Sequence, residues 1–283
     1  MDIAFSEDQR VMKDAARKFL DKECGPAVVR AIREGDREMG AGVWAAMADL
    51  GWLGLPFNAA YGGLEVDLVT LAALVEELGR VADPTPFINT VVACGLLIQN
   101  YANEELKARL LSGIASGSLH ISLAVVEDDA LYCANSIGLT ATEQGDTLKL
   151  NGHKMFVENA ASVDYLLVAV RTREEESGIS LVLVDPQQQG VDITALQSVT
   201  LADLSEVKFS DVCVGTDQLV GARDAAWSAI DSAVKTAAAV QCAAAVGGAG
   251  KVLDMAVSHA KDRHQFDSPI GSFQAVQHLL ANM

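Results

Sequence analysis

Proline and aromatic rings are scarce in this 283-residue chain, with 6 prolines and only 5% Phe, Trp and Tyr. Few breaks and few large rings leave Ala, Leu and Val to build the core, which favours helices. Positive charge is short as well: 21 Lys and Arg stand against 38 Asp and Glu, a net charge of −17. A general nucleic-acid binder needs a basic face for phosphates, so that class is excluded, although one local arginine can still grip a small anionic cofactor. The five cysteines (Cys24, Cys94, Cys133, Cys213, Cys242) show no paired spacing, and the five histidines share no ligand spacing with carboxylates or cysteines. Reduced thiols are expected, and no metal. Long hydrophobic runs are missing too. The segment Phe87 to Ile98 is interrupted by Asn89 and is too short for a bilayer; the Ala237 to Val246 run is weakly hydrophobic and holds Gln241. No basic-then-apolar leader opens the chain, so a cytoplasmic protein without a membrane segment is expected.

What is present is periodicity. Ser6-Glu7-Asp8-Gln9 is a capping box ahead of Val11, Met12, Ala15 and Phe19 at helical spacing. Pro26 separates a second helix, Gly42 to Leu50 reads as a third, and Leu68, Leu71, Leu74, Val75 and Leu78 share one face of a fourth. Two more fit Pro86 to Tyr101 and Glu104 to Ala115, the latter with Asn103 as N-cap. After Gly117 the pattern becomes β. Ile121–Val126, Tyr165–Val170, Ile179–Val184, Val191–Thr194 and Val207–Val214 are short strands, and Thr147 to Val157 reads as a hairpin turning at Asn151-Gly152. The stretch from Arg173 to Gly178 is a solvated acidic loop. Strands joined by turns predict an antiparallel barrel or sandwich. Helical pattern returns from Ala222 to His259. The fold class is therefore α+β and multidomain: helical over 1–118, an antiparallel β domain over 119–217, and the start of a helical domain over 218–283. Gly247-Gly248-Ala249-Gly250-Lys251 lacks the leading glycine and trailing Ser/Thr of a phosphate loop and lies in helical pattern, where small residues let helices pack closely.

The stretch from Arg263 to Ala281 reads locally as helix, turn, helix, with Pro269 and Gly271 as punctuation and Ser272 as N-cap of a segment with Phe273, Val276 and Leu280 on one face. Its pattern, Arg-x-x-Phe-x-x-Pro-Ile-x-x-Phe-Gln-x-x-Gln-His-x-Leu-Ala, closely resembles the acyl-CoA dehydrogenase family. Gly51-Trp52-Leu53-Gly54-Leu55, Tyr61-Gly62-Gly63-Leu64 and Glu76-Glu77-Leu78-Gly79-Arg80 resemble that family's N-terminal helical domain. The resemblance implies FAD as cofactor, an acyl-CoA substrate, and a homo-oligomer or a homologous partner subunit. It also implies that Arg263, Phe266 and Gln274 bind cofactor, the arginine and glutamine reaching across a dimer interface to the neighbour's FAD. Asp267 stands where a glycine is usual.

Two further stretches of the family contact flavin. In the first, Thr-Glu-Pro followed by a glycine and a serine, this chain has Val126-Glu127-Asp128 and then Leu131-Tyr132, so Glu127 alone matches. In the second, Gly152-His153-Lys154-Met155-Phe156-Val157-Glu158, Phe156 offers a π-face and Glu158 replaces a neutral hydroxyl. The implied cofactor-binding set is Arg263, Phe266, Gln274, Phe156, Glu127 and Glu158. No catalytic base is visible: Ala237 occupies one family position for it, and Asp231 and Asp254 do not match. The implied activity is α,β-dehydrogenation of an acyl-CoA thioester. Two alternatives stay open, a non-catalytic subunit completing a neighbour's FAD site and a flavin monooxygenase on the same fold.

Overall fold

The computed structural model describes residues 4–175, 178–199 and 203–283. Helices come first, then strands, then helices, an α+β architecture in the expected order. The chain divides into two compact units. One comprises Met1–Arg30, Val69–Asp83 and Val240–Met283; the other comprises Ala31–Leu68 and Pro84–Ala239.

In the first unit, α1 (Glu7–Glu23) opens on the predicted box, Ser6 Oγ accepting from Gln9 N at 3.2 Å and Gln9 Oε1 from Ser6 N at 2.9 Å. Two of the four orphan amides of the helix start are thereby satisfied. Helix α4 (Leu68–Arg80) buries Leu71, Leu74, Val75 and Leu78. It also buries Glu77, 1% exposed, whose carboxylate takes Arg17 at 2.7 and 3.0 Å and Arg80 at 2.7 Å. Helix α7 (Trp227–Asp262) runs for 36 residues and meets α4 through glycine. A Cβ on Gly79 would come within 2.0 Å of Ala244 O, and one on Gly247 within 1.8 Å of Glu76 O. The glycine-rich run at 247–250 is thus helix with a packing role. By length and composition alone α7 could cross a membrane. Asp231, Lys235, Lys251 and Asp254 punctuate it, and Gly247 seats it against protein backbone.

After α7 the expected plain turn is replaced by a short hairpin, β8 (His264–Gln265) against β9 (Ser268–Pro269). A 3-10 turn over Ile270–Ser272 then leads into α8 (Gln274–Asn282). Ser272 does not cap α8. Its hydroxyl donates to Pro269 O at 2.7 Å, closing the 3-10 turn, and Phe273 occupies the N-cap position.

Helix α2 (Pro26–Arg33) ends just inside the second unit, whose first full helix is α3 (Arg37–Asp49). Helix α3 starts ahead of the expected Gly42, because Asp36 Oδ1 accepts from Met39 N at 2.9 Å and caps it. The apolar stretch before Tyr101 is not one regular helix: Ile88–Gly95 is π-helical and passes into α5 (Leu96–Tyr101). Asn103 caps α6 (Glu104–Ala115) as predicted.

The β region holds β1 (Ile121–Ala124), β2 (Thr140–Gln144), β3 (Thr147–Glu158), β4 (Tyr165–Arg171), β5 (Ile179–Val184), β6 (Val191–Leu196) and β7 (Leu204–Gly215). Leu148, Leu150, Val157, Val168, Val182, Val207 and Phe209 belong to one buried core. The sheet order is β1-β4-β2-β3-β7-β6, with β5 on β4. Most pairs are antiparallel, but a wholly antiparallel domain is corrected. β1 runs parallel to β4, from Ile121 opposite Tyr165 to Ala124 opposite Val168, and Thr140 of β2 pairs in parallel with Arg171. The hairpin turn also moves. Gly145-Asp146, with Gly145 at φ 62°, joins β2 to β3, while Asn151-Gly152 lies inside β3 at a register shift. Gly152 sits at φ 141° with its Cα face so close to Leu139 that a Cβ would fall 2.9 Å from Leu139 Cα. The glycine there serves a bulge. Of the predicted acidic loop, Arg173 to Glu175 are exposed; Glu176 and Ser177 lie outside the described residues.

Candidate functional site

The six predicted residues fall into two groups, one on each unit. On the β unit, a second register shift in β3 lies between Lys154 and Val157, with Phe156 at φ 56°. Regular alternation from buried Lys154 would bury Phe156 and expose Val157. The bulge advances the pattern by one: Val157 is buried, while Phe156 (48% exposed) and Glu158 both face outward. A bulky residue in left-handed backbone is uncommon and marks a constrained position.

Glu158 is met by Asn89 from the π-helical segment. The Asn89 amide donates to Glu158 Oε2 at 3.1 Å and to Ser122 Oγ at 3.0 Å, and its Oδ1 accepts from Leu123 N at 3.2 Å. Sequence reasoning treated Asn89 only as an interruption of an apolar run. A single amide in such a run is the signal that could have found it, since a half-buried amide needs partners. Tyr132 and Leu131 stand half-exposed nearby in sequence on the loop after β1. The Tyr132 phenol is pushed above its ordinary value by burial, with the Glu158 carboxylate adding to it. Burial, with Glu158 adding, likewise raises the Cys94 thiol, so Cys94 is no nucleophile.

Glu127 turns away from this surface. Its Oε1 takes Lys154 Nζ at 2.6 Å and Leu139 N at 3.0 Å, and its Oε2 takes Gly138 N at 2.9 Å. On α7, Ala237 offers no carboxylate; Asp231 is paired with Lys235 at 2.6 Å, and Asp254 is exposed.

The other group is the arm after α7. Phe266 and Asp267 form the two-residue turn of the β8–β9 hairpin at φ 52° and 58°, the left-handed pair that a type I′ turn requires. Asp267 therefore adopts the backbone for which glycine is the easy choice. Phe266 is 87% exposed and meets Phe273 edge-on at 6.2 Å. Arg263 and Gln274 are exposed, and neither side chain has a hydrogen bond or ion pair among the described residues. Arg263 is fixed by its backbone alone, its N–H donating to His259 O at 2.9 Å and its carbonyl accepting from Ile270 N at 2.8 Å. An exposed, unpaired guanidinium on the same arm as an exposed aromatic pair is suited to an anionic ligand with an apolar or stacking part.

Family models match almost end to end: acyl-CoA dehydrogenase N-terminal domain over residues 6–118, middle domain over 122–212 and C-terminal domain over 226–283. The chain belongs to the acyl-CoA dehydrogenase family. Within it, the chain is similar to cyclohex-1-ene-1-carbonyl-CoA dehydrogenase of Geobacter metallireducens, 31% identical over 286 residues, covering 98% of this chain and 74% of the relative. It superposes on butyryl-CoA dehydrogenase from Megasphaera elsdenii with a TM-score of 0.90, at 25% identity, covering 100% of this chain and 76% of that one. The Tcur3481-Tcur3483 steroid ACAD matches with a TM-score of 0.84 at 27% identity, covering 98% of this chain and 73% of that one. The relatives are named as oxidoreductases, so an enzyme of this family is the coarse functional assignment. Against the family's flavin stretches, the β face of this chain keeps an aromatic at Phe156 and carries Val126, Leu131, Tyr132 and Glu158 in place of hydrogen-bonding, glycine or neutral positions.

Proposed function

We propose that this chain is a subunit of an oligomeric FAD-dependent acyl-CoA dehydrogenase, and that Arg263, Phe266 and Gln274 complete the cofactor site of a neighbouring subunit. Arg263 carries this reading. In a protein of net charge −17, its exposed guanidinium makes no ion pair among the described residues, and it stands at the base of the hairpin whose turn is Phe266-Asp267. A pyrophosphate is the kind of anion such a group grips in a bidentate manner. These residues fit FAD: Arg263 would take the pyrophosphate, Gln274 would supply an amide, and Phe266 an aromatic face. When bound, FAD supplies hydride acceptance from the β-carbon of an acyl-CoA thioester.

The β face fits less well. Phe156 can lie against a flat ring, but Glu158 places negative charge where reduced flavin is itself anionic, and Val126 and Leu131 offer no side-chain donor. Removal of the substrate's α-proton needs a carboxylate or equivalent base near the carbon. Ala237 supplies none, and the base is left unassigned among these residues. The Tcur3481-Tcur3483 steroid ACAD, whose name joins two chains, supports a heteromeric assembly for a relative of this fold.

A mixing experiment tests the proposal. Arg263→Ala/Gln274→Ala chain is assembled with wild-type partner, and FAD per subunit is read from absorbance after gel filtration. The expected outcome is loss of flavin from the partner's site with the mutant chain still folded. Unchanged flavin occupancy would show that the arm serves no cofactor.

A further inference from the structure

Lys154 is 0% exposed, an ammonium group wholly enclosed in a β unit. A buried lysine needs partners for its three donors. Nζ donates to Val125 O at 3.1 Å and to Glu127 Oε1 at 2.6 Å. Both partners lie in the loop that leaves β1 and carries Leu131 and Tyr132. Glu127, in turn, accepts from Gly138 N and Leu139 N, where the same loop re-enters the sheet. One carboxylate thus joins the two ends of the loop, and one ammonium holds the carboxylate.

Two more contacts close the neck. Met155 N, next to Lys154 on β3, donates to Val126 O at 2.8 Å. From β4, Arg171 donates to Ile137 O at 2.7 Å and to Ala134 O at 2.6 Å. Between these ties, Asp128 to Tyr132 remain exposed. The geometry also links the loop to the bulge, because Lys154 is the last residue of β3 in register before Phe156 and Glu158.

We infer that Lys154 is a positioning residue of the β face: through Glu127 it clamps residues 125–139 against the β3 bulge, fixing the loop that carries Leu131 and Tyr132 for whatever ring system lies on that face. The inference rests on the proposed cofactor role of that face. It assigns Glu127 an inward task, which explains why this acidic residue is present while its neighbours in the loop, Val126, Asp128, Leu131 and Tyr132, differ from the family pattern.

Hydrogen–deuterium exchange followed by FAD titration tests the clamp and the face separately. In Lys154→Met, amide exchange over 127–139 should quicken at least tenfold, while 165–184 in β4 and β5 keeps wild-type protection. Should that variant fail to fold, Glu127→Gln reads the same neck with the lysine retained, and the same local quickening is expected. FAD affinity of the purified protein should fall at least fivefold in whichever variant folds. Unchanged exchange in the loop overturns the clamp, and so does an equal loss of protection across the whole sheet. A loosened loop with unchanged FAD affinity overturns the positioning role. None of these outcomes touches Arg263, so the arm's assignment stands or falls on its own experiment.

Discussion

Asn89 donates its side-chain amide to Glu158 at 3.1 Å, joining the π-helical segment to the outward edge of the β3 bulge. This pair places a carboxylate on the face where the family presents a neutral hydroxyl. Glu158→Thr removes the charge and restores a hydroxyl. FAD retention by the purified chain should rise about fivefold, the equivalent of roughly 1 kcal/mol for one net hydrogen bond. Absorbance after gel filtration, wild type against variant, measures it; equal or lower retention would mean that Glu158 is no obstacle.

Gly79 and Gly247 permit the contact of α4 with α7. Gly247→Ala would press a methyl into Glu76 O, where a Cβ would stand 1.8 Å away. Overpacking of this kind costs about 1–3 kcal/mol. Urea unfolding should show a lower midpoint, whereas Gly250→Ala, with nothing within 4 Å of its Cβ position, should stabilise or leave the protein unchanged.

Glu77 is the anchor between α1 and α4. Burial pushes its carboxyl up, but the Arg17 and Arg80 hydrogen bonds outweigh it, and the net value lies below the ordinary one. A depressed carboxyl contributes stability above its unfolded value, and that contribution is lost as pH falls through the folded value. Glu77→Ala should cost about 3 kcal/mol, the lower end for breaking a buried pair, because half-exposed Arg17 can rehydrate. The cost should shrink toward acid pH; a constant cost between neutral and acid pH would place the effect in packing alone.

Lys154 carries the opposite linkage. Burial lowers its ammonium from 10.5 to about 8, with Glu127 resisting. Between those values the unfolded chain holds a proton that the folded chain has released, so unfolding takes up a proton and raising the pH favours the folded state. The stability of wild type relative to Lys154→Met should therefore climb from about pH 8 and level off near 10.5. Urea titrations across that range would contradict this if the difference stayed flat or fell.

What could be read from sequence was what short-range contacts decide. Ser6 with Gln9 and Asn103 with Leu106 N are bonds across three residues, and both caps form as the residue types predict. Asn151-Gly152 carries an equally strong local signal, yet Leu139 approaches Gly152 and makes it a bulge, while the less conspicuous Gly145-Asp146 turns the chain. The inward turn of Glu127 depends on Lys154 on another strand, and the outward turn of Phe156 depends on a register shift that no alternation pattern displays. Arg263, Phe266 and Gln274 were legible as a spaced pattern, but the hairpin that follows Arg263 was not: Phe266 is a poor advertisement for a left-handed turn.

The glycine contact of α4 with α7 has a consequence for the order of events on the ribosome. Helices α1 and α4 emerge early and can join through Glu77, Arg17 and Arg80. The backbone that fills the groove at Gly79 belongs to Ala244. At about 5–20 residues per second, translation delivers that segment on the order of ten seconds later or more. During that interval the first unit exists only as a helix pair with an open seam, and the nascent chain passes through its whole β region before the seam can close. Substitutions at Gly79 and Gly247 would accordingly affect yield in the cell, through the lifetime of the open seam, even where the finished protein tolerates them.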